Sequence, residues 1–291
     1  ASAAAVEKAL CAPLQVDQAT AAFGLSEVVD ENMSNAARMH AVENGKELSE
    51  FTMIAFGGAA PLHAARLCEK LAVADLLVPP GAGVGSAIGF LRAPFGFESV
   101  RSAYMRLSSF DATKANQLVH ELIEEATSFV RTGAGSAEPE LECTAFMRYV
   151  GQGWELPVNV PIEQLGNADG QALKAGYDGE YEAFFGRTID GLDIEIVSWS
   201  LRASSPVAKP QRRPLTEKGT PARVSGKRRL FDARLEAYQT AAVVDREHMR
   251  AGDWVAGPAV ITERETTTIV TASREAVMQA DGCLLLRAVK A

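Results

Sequence analysis

Cysteine is scarce in this chain: four in 291 residues, at Cys11, Cys68, Cys143 and Cys283, with no two spaced as a CxxC pair. Such spacing supports neither a disulfide framework nor a zinc site, and it fits a reducing compartment. No stretch of about 18 apolar residues occurs, so no membrane-spanning helix is expected. Long basic runs are missing too. The cluster Lys227, Arg228, Arg229 is short, the net charge is -8 and the pI about 5.2. An acidic chain of this kind is poorly suited to wrapping nucleic acid or anionic lipid. The opening ASAAAVEKAL has no basic region leading into an apolar one, so no signal peptide is expected and the protein is placed in the cytoplasm. An initiator Met is missing as well, which fits a processed, cleaved or trimmed chain as well as ordinary Met removal before Ala1. Two phosphate-binding signatures, DxGT and GxxxxGK[ST], are absent, and GVGSA around Ser86 is not the GxSxG of a hydrolase elbow. There is no internal repeat.

What is present is ordinary globular composition, 47% hydrophobic and 23% charged, enough for one large or two medium cores. Residues 27–44 have helical spacing, with Val28, Met33, Ala37 and Val42 as the expected apolar face and Gly45 as a stop. FTMIAF (51–56) reads as a strand broken by Gly57-Gly58. Pro61 suits the first turn of a helix running to about Leu71. ADLLVPP (74–80) reads as a second strand, and GAGVG (81–85) as a loop into a short helix. That alternation predicts an α/β layer with parallel strands. Beyond Phe97 the pattern becomes α+β. A strand is expected near 99–107, a helix over 111–131, a hairpin about Gly151-Gln152-Gly153, a helix over 170–186 and a strand over 193–203. Four prolines in 204–226 mark a linker, and short strands fill the remaining 65 residues.

The stretch FTMIAFGGAAPLHAARL carries the most chemistry. A strand running through Gly-Gly into a helix lets a ligand approach bare backbone. The unpaired N–H groups of the helix start favour anions or polar ligand edges. By itself a Gly-Gly turn after a strand is also simply a tight turn. His63, just inside the helix, is the candidate acid–base group, though no carboxylate or second histidine stands at ligand spacing from it. Arg148, Tyr149, Gln152 and Glu155 gather around that hairpin turn and read as a polar network fixing it. Thr266–Thr268 read as strand formers. Cys68 has no His nearby to make it a nucleophile.

Residues 51–65 resemble the FGGAGPLHA signature of the hydantoinase A/5-oxoprolinase family, which includes subunits of acetone and acetophenone carboxylases. LLVPPGAGVGSAIGFL, MRYVGQGWELPVNV, DIEIVSWSLRA and AGDWVAGPAVITERETTTIV are similar, in order, to further family motifs. Ala60 departs from the pattern, standing where the family usually has Gly. The resemblance covers essentially the whole chain and implies the carboxy-terminal part of the family protein. Residues 1–97 would belong to an actin/Hsp70-like α/β ATPase lobe. Residues 98–291 would form an α+β, β-rich carboxy-terminal domain, with a sub-boundary in 204–226. Gly57, Gly58, Ala59 and Ala60 would lie under the adenosine of ATP. The phosphates and Mg²⁺ would be held mainly by a partner polypeptide carrying the phosphate-binding lobe, in a hetero-oligomer. The implied chemistry is phosphorylation of a carbonyl, amide or enolate oxygen. It would serve opening of a cyclic amide by water or, in the carboxylase branch, carboxylation of a ketone. A non-catalytic scaffold subunit is the contrasting reading.

Overall fold

The computed structural model describes residues 2–134, 138–207 and 211–289. Residues 208–210 of the expected linker lie outside them. Helix α1 (Ser2–Val6) passes through a π-turn (Glu7–Cys11) into α2 (Ala12–Leu14). Then come α3 (Gln18–Glu43), β1 (Met53–Ile54), α4 (Ala60–Lys70), β2 (Asp75–Val78) and α5 (Gly85–Arg92). The middle holds β3 (Gly96–Arg106), α6 (Ala112–Ala134), β4 (Glu140–Tyr149), β5 (Leu156–Val160), α7 (Asp169–Phe185) and β6 (Ile194–Ser204). The last part is β7 (Val224–Asp232), β8 (Ala237–Asp245), β9 (Trp254–Ala256), β10 (Ala259–Thr262), β11 (Thr267–Val270), β12 (Arg274–Met278) and β13 (Leu284–Ala288). The chain is therefore mixed α/β. Among the described residues no helix is long and apolar enough to cross a membrane.

Two compact units form, Ala1–Arg92 with Arg212–Ala291, and Ala93–Gln211. In the first, β1 and β2 run parallel, as their alternation with helices predicts. The strand expected over 51–56 is shorter, pairing only at Met53 and Ile54. The sheet is not completed by neighbours in sequence. Its order is β1-β2-β13-β12-β9, with β13 antiparallel to β2 from Leu284↔Val78 to Arg287↔Asp75. The last strands thus complete the sheet that the early strands begin. The burial of Leu76, Val78, Leu284 and Leu286 explains it: two strands leave their large apolar side chains uncovered until others extend the layer. A second sheet, β11-β10-β8-β7, belongs to the same unit.

Helix α3 starts where Asp17 accepts a hydrogen bond from Thr20 N at 2.9 Å and stops at Asn44, with Gly45 left-handed at φ 60°. Its orientation differs from expectation. Val28 and Val42 are exposed, while Asp30, Ser34 and Ala41 are buried. Small side chains at 34, 37 and 41 line the inner face. Residues of this size let two helices approach closely, and α3 packs on α4. Glu27 and Glu31 then hold Arg66 and Lys70 of α4, with Arg66–Glu27 at 2.9 Å and Lys70–Glu31 at 2.5 Å.

The second unit is an antiparallel sheet, β3-β6-β4-β5, packed with α6 and α7 around Trp199, Tyr149, Tyr177 and Leu122. The expected hairpin is β4–β5, in register from Cys143↔Val160 to Met147↔Leu156.

Candidate functional site

The glycine turn between β1 and α4 takes its shape from backbone demands. Gly57 adopts φ 113°, a conformation that side chains rarely enter, and its N–H donates to Ala82 O at 2.6 Å. A side-chain carbon placed on Gly57 would meet nothing within 4 Å, and one on Gly58 would meet only Glu265 O at 4.0 Å. Gly58 and Ala59 are exposed, Gly57 and Ala60 half-buried. Pro61 follows in the first turn of α4, where its missing N–H costs nothing. Gly57, Gly58, Ala59 and Ala60 thus form one open stretch of main chain leading into a helix start. Ala60 is helical, so the methyl that replaces the family's glycine needs no left-handed backbone.

One side of the turn is braced by residues from the far end of the chain. Thr266, 7% exposed, donates from Oγ1 to Gly58 O at 2.7 Å. The neighbouring loop must be bare to fit there: a side-chain carbon on Gly83 would lie 2.8 Å from Glu265 O. Arg246 locks the same corner. Its guanidinium donates to Glu263 Oε1 at 2.8 Å, Val78 O at 2.9 Å and Gly282 O at 2.8 Å. Sequence reasoning treated 266–268 only as strand formers and passed over Arg246. These contacts join positions up to 208 residues apart, so no local pattern announces them.

His63 on α4 is half-buried, and a carboxylate meets it. Asp30 of α3, 33 positions upstream, lies 2.7 Å from His63 Nδ1. No carboxylate stands at ligand spacing from His63 along the sequence, and the one that meets it comes from another helix. Short-range spacing could not find a residue brought there by helix packing. His63 also lines a cavity of about 340 Å³ with Leu62, Phe231, Gln239, Pro258 and Ile269.

The other candidates stand elsewhere. Arg148 Nε donates to the buried Glu195 at 2.7 Å, and Tyr104 OH donates to the same carboxylate. Tyr149 N donates to Tyr177 OH and Gln152 to Tyr181 OH, so the cluster braces its hairpin, as expected. Trp199 is fully buried and Trp154 is 60% exposed. His40, His120 and His248 are on the surface. Burial pushes the thiols of Cys68, Cys143 and Cys283 up to about 11, which removes them as nucleophiles at neutral pH. Among the described residues no three His, Cys, Asp or Glu side chains converge on a metal-sized site.

The family model described as hydantoinase/oxoprolinase matches residues 1–98, and the hydantoinase/oxoprolinase C-terminal domain model matches residues 108–289. Caprolactamase subunit alpha of Pseudomonas jessenii is 26% identical over 276 residues, covering 91% of this chain and 39% of that protein. Acetone carboxylase beta subunit of Xanthobacter autotrophicus is 26% identical over 281 residues, covering 91% of this chain and 39% of that protein. The nucleotide-free structure of acetone carboxylase superposes with TM-score 0.77 at 24% identity, over 99% of this chain and 42% of that one. The chain thus spans about two-fifths of the length of the curated relatives it matches.

Proposed function

As the chain belongs to the hydantoinase/oxoprolinase family, we propose that its glycine turn carries the adenosine side of an ATP site in an enzyme that activates a carbonyl oxygen by phosphorylation. The observation that carries this reading is the open main chain at Gly57 and Gly58, where a flat ring meets no side chain. A ring there would rest on backbone, beside the start of α4, whose first N–H groups have no helical partner. Thr266 would keep the Gly58 carbonyl turned away from the ring's face. The unit built on β1, α4, β2 and α5 is read as part of an actin/Hsp70-like lobe, a reading supported by its parallel strand pair and the following helices. The division at 97/98 is proposed only as a boundary along the sequence, because Arg212–Ala291 forms one compact unit with Ala1–Arg92.

When bound, ATP supplies the phosphoryl group and Mg²⁺ neutralises its charge. No phosphate-loop motif occurs in residues 1–291, so the phosphates and metal fall to another part of the assembly, on the same or a partner polypeptide. The relatives' names describe subunits, which supports a multi-chain complex. His63 is the candidate acid–base group of this chain. Opening of a cyclic amide is the favoured reaction, after the caprolactamase relative. The carboxylase relative, matched at the same identity, keeps ketone carboxylation as the second reading.

The test is Gly58→Val in the assembled protein, with ATP affinity measured by calorimetry. Valine fits the fold there, because its first carbon has 4.0 Å of room, yet it stands where the ring would lie. At least about tenfold weaker binding is expected, equal to about 1.4 kcal/mol. Unchanged affinity in a folded variant overturns the reading and favours a scaffold subunit. ATP-dependent consumption of a lactam, against that of a ketone with bicarbonate, separates the two reactions.

A further inference from the structure

The sheet order β11-β10-β8-β7 leaves β7, nine residues long, at an edge. Its neighbour β8 fixes which main-chain groups stay free. Ala242 N–H donates to Pro258 O, toward β10, so the peptide groups of Ala242 face away from β7. Lys227 lies opposite Ala242 and Arg229 opposite Thr240, whereas Arg228 lies opposite Ala241. Directly opposed residues of an antiparallel pair alternate between bonded and non-bonded. The N–H and C=O groups of Lys227 and Arg229 therefore point to the open edge, at the two-residue spacing another strand can match. Such an edge pairs with other chains unless something prevents it.

What stands along this edge is charge of one sign. Arg223, Lys227, Arg228 and Arg229 fall within seven residues that hold no Asp or Glu, in a chain of net charge -8. All four are exposed. Elsewhere in the same unit Lys218 pairs with Glu275 and Arg264 with Glu247. These four meet no carboxylate among the described residues, and Arg229 rests on the ring of Tyr238, 4.1 Å away. Alternate side chains of a strand take opposite faces, so Arg228 lies on one face and Lys227 and Arg229 on the other. Cations thus flank the edge on both sides.

Charge of this kind selects between partners. Antiparallel pairing of two copies at this edge would set Lys227–Arg229 of one against the same residues of the other, which is unfavourable. A strand that brings carboxylates meets the opposite sign. A nucleic acid answers the charge but not the alternating N–H and C=O groups, and the chain as a whole is acidic.

We infer that the β7 edge is an interaction surface for an extended acidic segment of another polypeptide, which adds a strand beside Lys227–Arg229 and sets its carboxylates against Arg223, Lys227 and Arg228. The inference uses no residue of the glycine turn and does not rest on the nucleotide reading.

The experiment is fluorescence anisotropy of the full chain with a dye-labelled heptapeptide of alternating Glu and Val, capped at both ends. Three probes are compared with it: the Lys–Val heptapeptide, the Glu–Val heptapeptide N-methylated at every residue, and single-stranded oligothymidylate. The Glu–Val peptide is expected to bind at least about tenfold more tightly than the Lys–Val peptide, and to weaken at least about tenfold between roughly 0.05 and 0.5 M salt. The N-methylated peptide keeps the charges but has no N–H to donate, and is expected to bind at least about tenfold more weakly. Hydrogen exchange read by mass spectrometry is expected to slow at Lys227–Arg229 when the Glu–Val peptide is bound. Combined Lys227→Glu, Arg228→Glu and Arg229→Glu is expected to reverse the preference between the Glu–Val and Lys–Val peptides. Should that variant fail to fold, the four probes on the unmutated chain decide alone. Equal binding of the Glu–Val and Lys–Val peptides, no loss on N-methylation, or tighter binding of oligothymidylate without slowed exchange at β7 overturns the inference.

Discussion

Arg246 offers a severe test of how this unit is held together. It is 7% exposed, and its guanidinium serves the carboxylate of Glu263 and the carbonyls of Val78 and Gly282. Those partners come from β2, the β12–β13 turn and the segment after β10, so one side chain ties three separate stretches. Arg246→Met preserves much of the apolar stem but leaves the Glu263 carboxylate, 8% exposed, without its cation. Breaking a buried pair from one side costs about 3–5 kcal/mol. With about 2–4 °C lost per kcal/mol in a unit of this size, the melting temperature should fall by about 6–20 °C. Adding Glu263→Leu removes the stranded charge, and part of the loss should return. The carbonyls of Val78 and Gly282 would still lack a donor, so recovery should be incomplete. Arg264 supplies the control two positions from Thr266. Its side chain is 80% exposed and pairs with Glu247 at 3.0 Å, so Arg264→Met should change stability by less than about 0.5 kcal/mol. Urea and thermal unfolding followed by circular dichroism measure all four proteins. If Arg246→Met costs no more than Arg264→Met, the reasoning from burial and pairing is wrong.

Three further outcomes are expected. Thr266→Val should lower stability by about 1 kcal/mol, since it strands the Gly58 carbonyl, whereas Thr266→Ser should retain most of it; chemical denaturation distinguishes them. The thiols of Cys68 and Cys143 should react with a disulfide reagent in native protein far more slowly than after denaturation, which a colorimetric time course reads directly. Burial alone would raise the Glu27 carboxyl, but hydrogen bonds and charge from Arg66 and Lys70 outweigh it and hold it below its ordinary value of 4.5. Its folded value being depressed, this contribution is fully present above the unfolded value and is lost as the pH falls through the folded one. Stability should therefore drop more steeply with acid below about pH 4.5 in the parent than in Glu27→Gln.

The main helices were legible because their signals are local. The Gly45 stop and Pro61 in the first turn of α4 each act within a few residues, and each stands where the local rules place it, whereas α3 begins earlier than the expected residue 27, at Gln18 behind the Asp17 cap. The parallel pairing of β1 and β2 also follows from alternation with helices. The burial face of α3 did not follow. Hydrophobic spacing favours Val28 and Val42, yet the face turned inward carries Asp30, Ser34 and Ala41. Small side chains there allow close helix contact, and cations on α4 meet Glu27 and Glu31, so packing overrides periodicity.

Residues 51–65 by themselves determined the character of the turn, because glycine's freedom at Gly57 and proline's place in α4 are properties of the residues and their nearest neighbours. Tertiary structure alone decided what surrounds it. Thr266 reaches Gly58, Asp30 reaches His63, and β13 closes on β2 across separations that leave no mark on local pattern. Such contacts are chosen by the burial of whole faces and the pairing of buried polar groups, and those quantities exist only once the chain has folded.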